Sequence, residues 1–207
     1  MKKITFLIVI LFTGIMTAQT KYQDGMKKAF SLWENEETTK ASQLFERISK
    51  AEPENWLPPY YAATIEIIES FGIKEEAVLK VKLTKAQEFL DLAKSNSENN
   101  PEIIITQALL NLGYIAFDGQ KYGMTLSEKT SQLYAKALAI APENPRVILG
   151  NAEWNMGSAR FFGKPTTPYC NEIKRAIELG KKEKIDQEFY PKFMIPRAEQ
   201  VLKQCSN

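Results

Sequence analysis

The segment Pro101–Gly119 constrains this chain most, because it returns 44 residues later as Pro145–Gly163. Aligned, PEIIITQALLNLGYIAFDG and PRVILGNAEWNMGSARFFG place Pro, Ile, Ala, Asn, Gly, Phe and Gly at the same seven offsets. Ile103/Val147, Ile105/Leu149, Gln107/Asn151 and Leu112/Met156 keep their character at four more. A supersecondary unit repeated at this period cannot bury both of its faces alone, so it must stack on its copies as a solenoid.

The periodicity around the repeat is helical throughout. Met26, Ala29, Phe30 and Trp33 mark one face of a helix over 22–34, and Ala41, Leu44, Phe45 and Ile48 mark a second, with Thr38 or Thr39 available as its cap. Pro58 and Pro59 suit the first turn of a helix over 57–71, which Gly72 stops. Glu75–Lys94 carries the stripe Val78, Leu79, Leu83, Ala86, Leu90 and Ala93, in one helix or two joined end to end. Pro101 and Pro145 open the fifth and seventh helices. The sixth, capped by Thr125 or Ser127, buries Leu133, Tyr134, Ala137 and Leu138. An eighth carries Ile173, Ala176, Ile177 and Leu179, and a ninth over 196–204 covers the open end. Inner corners hold Gly72, Gly119 and Gly163; outer corners hold Asn55, Asn99 or Asn100, and Asn144. Nothing alternates long enough to read as a strand.

The N-terminus reads differently. Lys2 and Lys3 precede an uncharged run from Ile4 to Met16, and Thr17, Ala18 and Gln19 close it, the layout of a secretory signal peptide over 1–18. The run is too short for a membrane-spanning helix, so no stable membrane insertion is expected after cleavage. Losing two lysines from 27 basic residues leaves 25 against 25 acidic ones. A neutral, mixed surface speaks against nucleic acid as a partner. Histidine is absent, which removes the commonest general base and metal ligand, and the acid pairs Glu36-Glu37 and Glu75-Glu76 lack the spacing of a calcium loop. No enzyme, cofactor or metal site is expected.

Tyr134-x-x-Ala137-x-x-x-x-Pro142 and Phe45-x-x-Ile48-x-x-x-x-Pro53 resemble the second-helix ending of a tetratricopeptide repeat. Ala108-Leu109-Leu110-Asn111-Leu112-Gly113 and Ala152-Glu153-Trp154-Asn155-Met156-Gly157 resemble the Ala-x-x-Asn-Leu-Gly of its first helix. The likeness spans roughly residues 22–182, at a period longer than the standard 34. It implies close helix approach at Gly113 and Gly157, and a concave groove lined by first helices. In that family the asparagine faces the groove, which would put Asn111 and Asn155 there; each could equally bond a neighbouring helix. Tyr114 and Trp154 are the aromatic anchors such a groove would offer, with inter-helix packing as the competing role.

Cys170 opens the eighth helix and Cys205 ends the ninth. In an exported protein whose last two helices pack antiparallel, these ends meet and a disulfide is expected. The expectation is therefore an all-α, right-handed α-solenoid of about four helix pairs plus a C-terminal capping helix over 19–207. It would be exported to the periplasm, the cell envelope or beyond, and would act as a non-enzymatic module docking a peptide or partner protein. The alternative is a carrier of a small molecule or peptide with an apolar inner surface.

Overall fold

The computed structural model describes residues 20–206, and the expected signal peptide, 1–18, lies outside them. Nine α-helices follow one another among the described residues, which contain no strand. They are α1 (20–34), α2 (Thr38–Ala51), α3 (Leu57–Ile68), α4 (Glu76–Asn96), α5 (Pro101–Phe117), α6 (Gly119–Ile140), α7 (Pro145–Phe161), α8 (Thr167–Lys182) and α9 (Ile195–Lys203). No helix among the described residues is long and apolar enough to cross a membrane.

The outer corners work because asparagine caps what proline begins. Asn100 accepts from the backbone N–H of Glu102, and Asn144 accepts from those of Arg146 and Val147. Pro101 and Pro145 take the next position, where a missing N–H is no loss. The inner corners are less uniform. Gly72 and Gly163 turn with φ of 91° and 64°, a region that side chains resist. Gly119 instead already belongs to α6. That helix begins well before Thr125 or Ser127, because the Asp118 carboxylate accepts from the Lys121 N–H and caps it. Likewise Glu37, not a threonine, holds the position before α2.

Each helix packs on its neighbours in sequence, and α3 also meets α5 as α5 meets α7. The odd-numbered helices thus form one wall backed by the even-numbered ones, an all-α solenoid-like stack. Its core is segmented accordingly. Met26, Phe45, Leu57, Ile65 and Leu83 centre one cluster over α1–α5. Ile148, Ile173, Ala176 and Val201 centre another over α7–α9, and Ile104, Ala137 and Val147 join the two. A Cβ at Gly113 would lie 3.0 Å from Ser70 Oγ and 3.3 Å from Leu83, so this glycine lets α5 close on the preceding pair. Its repeat mate Gly157 meets nothing within 4 Å.

The departure from a plain stack lies between α8 and α9. Residues 183–194 leave α8, cross the wall of odd-numbered helices as far as α1, and return. Glu188 accepts from Gln23 Nε2 at 2.8 Å, and the Phe189 carbonyl accepts from the Tyr61 hydroxyl at 2.6 Å. The Phe189 ring stacks on Phe30 at 5.9 Å and meets Tyr22 edge-on at 5.8 Å. At this tip Phe189 has φ of 62°, a left-handed conformation uncommon for so bulky a residue and sustained here by its aromatic seat. On the return, Phe193 lies so close to α8 that any Cβ at Gly180 would overlap its ring.

A disulfide joins Cys170, in the first turn of α8, to Cys205, in the terminal 3-10 turn Gln204–Ser206, with Cα atoms 5.9 Å apart. It closes residues 183–194, the strap, together with α9 into one loop. Replacing both cysteines by serine is expected to lower the unfolding free energy by about 3–4 kcal/mol, through loop-closure entropy in the unfolded chain. The urea midpoint reports it; an unchanged midpoint would show that the bond adds nothing to the packing of α9.

Candidate functional site

Where the strap ends, the concave wall stays open. The result is a groove of about 1370 Å³, above the roughly 300–1,000 Å³ usual for small-molecule sites. Its floor comes from α5, where Ile105, Leu109 and Leu112 recur at helical spacing. Helix α5 is apolar around much of its circumference. One side is buried against α4 and α6, so these half-buried aliphatics face the groove. One side wall is α3, with Tyr60, Thr64 and Ile68. The other is α7, whose Leu149, Gly150, Glu153, Trp154, Gly157 and Phe161 share one face at successive turns. The rim is apolar and open: Met124 is 91% exposed, Phe161 83%, Phe162 66% and Met194 66%. A contiguous exposed apolar surface of this kind marks an interaction site.

A buried ion network closes the end nearest the strap. Glu102, with no exposed surface, accepts from Arg146 Nε at 3.0 Å, from Asn144 Nδ2 at 2.7 Å and from the Tyr190 hydroxyl at 3.4 Å. Arg146 also pairs with Glu183 at 2.8 Å and lies over the Tyr190 ring, 5.5 Å from its centroid. Burial works against the guanidinium charge, but the Glu183 and Glu102 carboxylates outweigh it and hold the Arg146 pKa above its ordinary value. Burial, with Glu102 beside it, pushes the Tyr190 phenol up to about 12. Burial likewise raises Tyr60, Tyr61 and Tyr134. Among the described residues no group of three or more His, Cys, Asp or Glu could hold a metal ion.

Of the residues singled out from sequence, Trp154 lines the groove, its indole N–H donating to Ser131 Oγ at 2.8 Å. The other three lie elsewhere. Asn111 is buried and donates to Thr130 Oγ1 of α6 at 3.3 Å. Asn155 donates to the Asn151 carbonyl at 2.9 Å, one turn back on its own helix. Tyr114 packs on Tyr122, ring centroids 5.0 Å apart. Sequence reasoning missed the floor aliphatics of α5 and the whole strap. Two signals were present: a helix apolar on more than one face, and the aromatic run Phe189, Tyr190, Phe193 in a segment without helical periodicity.

No protein-family model matches the chain, and no curated protein matches it in sequence. A solved structure does match: the HusA haemophore from Porphyromonas gingivalis, with a TM-score of 0.78 and 22% identity over 89% of this chain and 92% of that one. At this identity the match establishes a shared fold. It corrects the expected reading of the concave side as a docking surface for a peptide or partner protein. The like-folded protein is a haemophore.

Arg146→Met would leave Glu102 buried without its cation, and is expected to destabilise by about 3–5 kcal/mol in urea unfolding; a loss below about 1 kcal/mol would mean the carboxylate finds another partner. The tyrosines set an alkaline limit. A phenol whose folded pKa exceeds its unfolded value near 10 stabilises the fold fully below about pH 10, and loses that contribution as pH rises through the folded value. For Tyr190 the window is about pH 10 to 12. Stability is expected to fall across it, less steeply in Tyr190→Phe; identical slopes in both proteins would contradict this.

Proposed function

We propose that this chain is an exported carrier of a large, flat, apolar small molecule, with a tetrapyrrole such as haem as the leading ligand class. The observation that carries it is the apolar groove of about 1370 Å³ on the concave wall. A rigid wall of three helices, an aliphatic floor and an aromatic rim suit a ligand with two broad apolar faces. The fold shared with a haemophore supports the ligand class. The scaffold is read as a divergent tetratricopeptide-like stack put to carriage, a binding protein rather than an enzyme. Export is supported by the N-terminal layout and by the disulfide, which belongs in an oxidising compartment.

The chain holds no histidine, and Cys170 and Cys205 are bonded to each other. Imidazole and thiolate ligation of an iron are therefore closed to it. Affinity in this reading comes from apolar contact with the faces of the macrocycle.

Titration of the protein with haem and with metal-free protoporphyrin IX, followed by absorption and fluorescence, tests the proposal. Both are expected to bind with micromolar or tighter affinity, and Leu109→Glu, which sets a charge on the half-buried floor, is expected to weaken both at least about tenfold with unchanged helical circular dichroism. Absence of binding, or equal binding by the variant, would overturn it.

A further inference from the structure

The groove is apolar along its floor and rim, but its charges are not distributed evenly. Arg146 is consumed by Glu102 and Glu183. Arg197, at the start of α9, donates two hydrogen bonds of 2.8 Å to the Glu153 carboxylate. Lys192, on the returning limb of the strap, has no ion pair or hydrogen bond among the described residues. Of the three cations lining the groove it alone is uncompensated, and it lies close in sequence to Arg197.

A second unpaired donor lines the same groove. Tyr134 of α6 is 3% exposed, yet it reaches the groove by passing beneath α7 at Gly150. A Cβ at Gly150 would lie 2.9 Å from Tyr134 Cε1, so the glycine is what makes room for the ring. The Tyr134 hydroxyl makes no hydrogen bond among the described residues. The hydroxyl is not fully enclosed, and it opens on the groove that Tyr134 lines. Glu153 and Arg197 are the charged groups that act on it. Burial holds the phenol protonated well above neutral pH, so it is a donor.

A free ammonium and a free, buried hydroxyl donor lining one apolar groove call for an acceptor with negative charge. We infer that Lys192 and Tyr134 are the donors by which the groove holds carboxylate, and that the cargo is amphipathic: an apolar body carrying at least one carboxylate. This rests on the carrier reading and narrows it. The acidic side chains of a tetrapyrrole would supply the group, and so would the head of a long-chain fatty acid. Glu153, already doubly bonded by Arg197, is kept from repelling the incoming acid.

The experiment compares protoporphyrin IX with its dimethyl ester, and palmitate with methyl palmitate, on wild type, Lys192→Met and Tyr134→Phe. Wild type is expected to bind the free acid at least about tenfold more tightly than the ester. Lys192→Met, at an exposed position, is expected to remove about that factor from the acid and leave the ester unchanged, and Tyr134→Phe to remove a smaller one. The preference is expected to shrink as salt is raised. Equal binding of acid and ester by wild type, or equal weakening of both by Lys192→Met, would overturn the assignment while leaving an apolar carrier standing. Acid-selective, Lys192-dependent binding of palmitate without porphyrin binding would uphold the carboxylate assignment and overturn the tetrapyrrole reading. Binding of none of the four would remove the carrier reading and this assignment with it.

Discussion

A carboxylate with no exposed surface holds this molecule in its particular shape. Glu102 sits at the start of α5, and its partners come from α7 and from the strap: Arg146, Asn144 and Tyr190. Burying a charge is costly unless it is paired and hydrogen-bonded. The three partners must therefore arrive together, and their arrival fixes how α5 meets α7 and where the strap crosses. The same residues that turn the outer corner do this work. Asn144 caps α7 with its side-chain oxygen and gives its side-chain nitrogen to Glu102. The repeat's local chemistry and its tertiary closure are thus one arrangement.

From that closure follows the division of apolar surface. A solenoid of helix pairs has one face of each pair left over after stacking. Here the leftover on α1 and the first part of α3 is covered by the strap's own aromatics, Phe189 against Phe30 and Tyr190 against Trp56. The leftover on α5 and α7 is not covered by any of the described residues. What remains is the groove, with Leu109 and Leu112 at its floor and Phe161 and Phe162 at its edge.

The helix pairs were legible in the sequence because their signals are local: prolines after capping asparagines, glycines in inner corners, and 3.6-residue stripes. The start of α6 was not, because Asp118 closes one helix and caps the next, and a glycine after an acid reads as a stop. The candidate site was legible only at Trp154. Asn111 and Asn155 carry the repeat's motif, yet each spends its amide on α6 or on its own helix, a choice set by side-chain orientation rather than by residue type. The strap left the weakest trace. Its register depends on contacts with residues more than a hundred positions away, such as Tyr61 with Phe189, and no periodicity encodes a segment that follows a groove.

The central claim is that the concave wall beyond the strap is where a small apolar ligand lies. Amide chemical-shift mapping of the isotope-labelled protein on addition of protoporphyrin IX tests this most directly. The account predicts perturbations concentrated on α5, on the groove face of α7 and on residues 192–194, with α2 and α4 unmoved. Perturbations centred on the even-numbered helices would contradict it, as would a spectrum unchanged by the ligand.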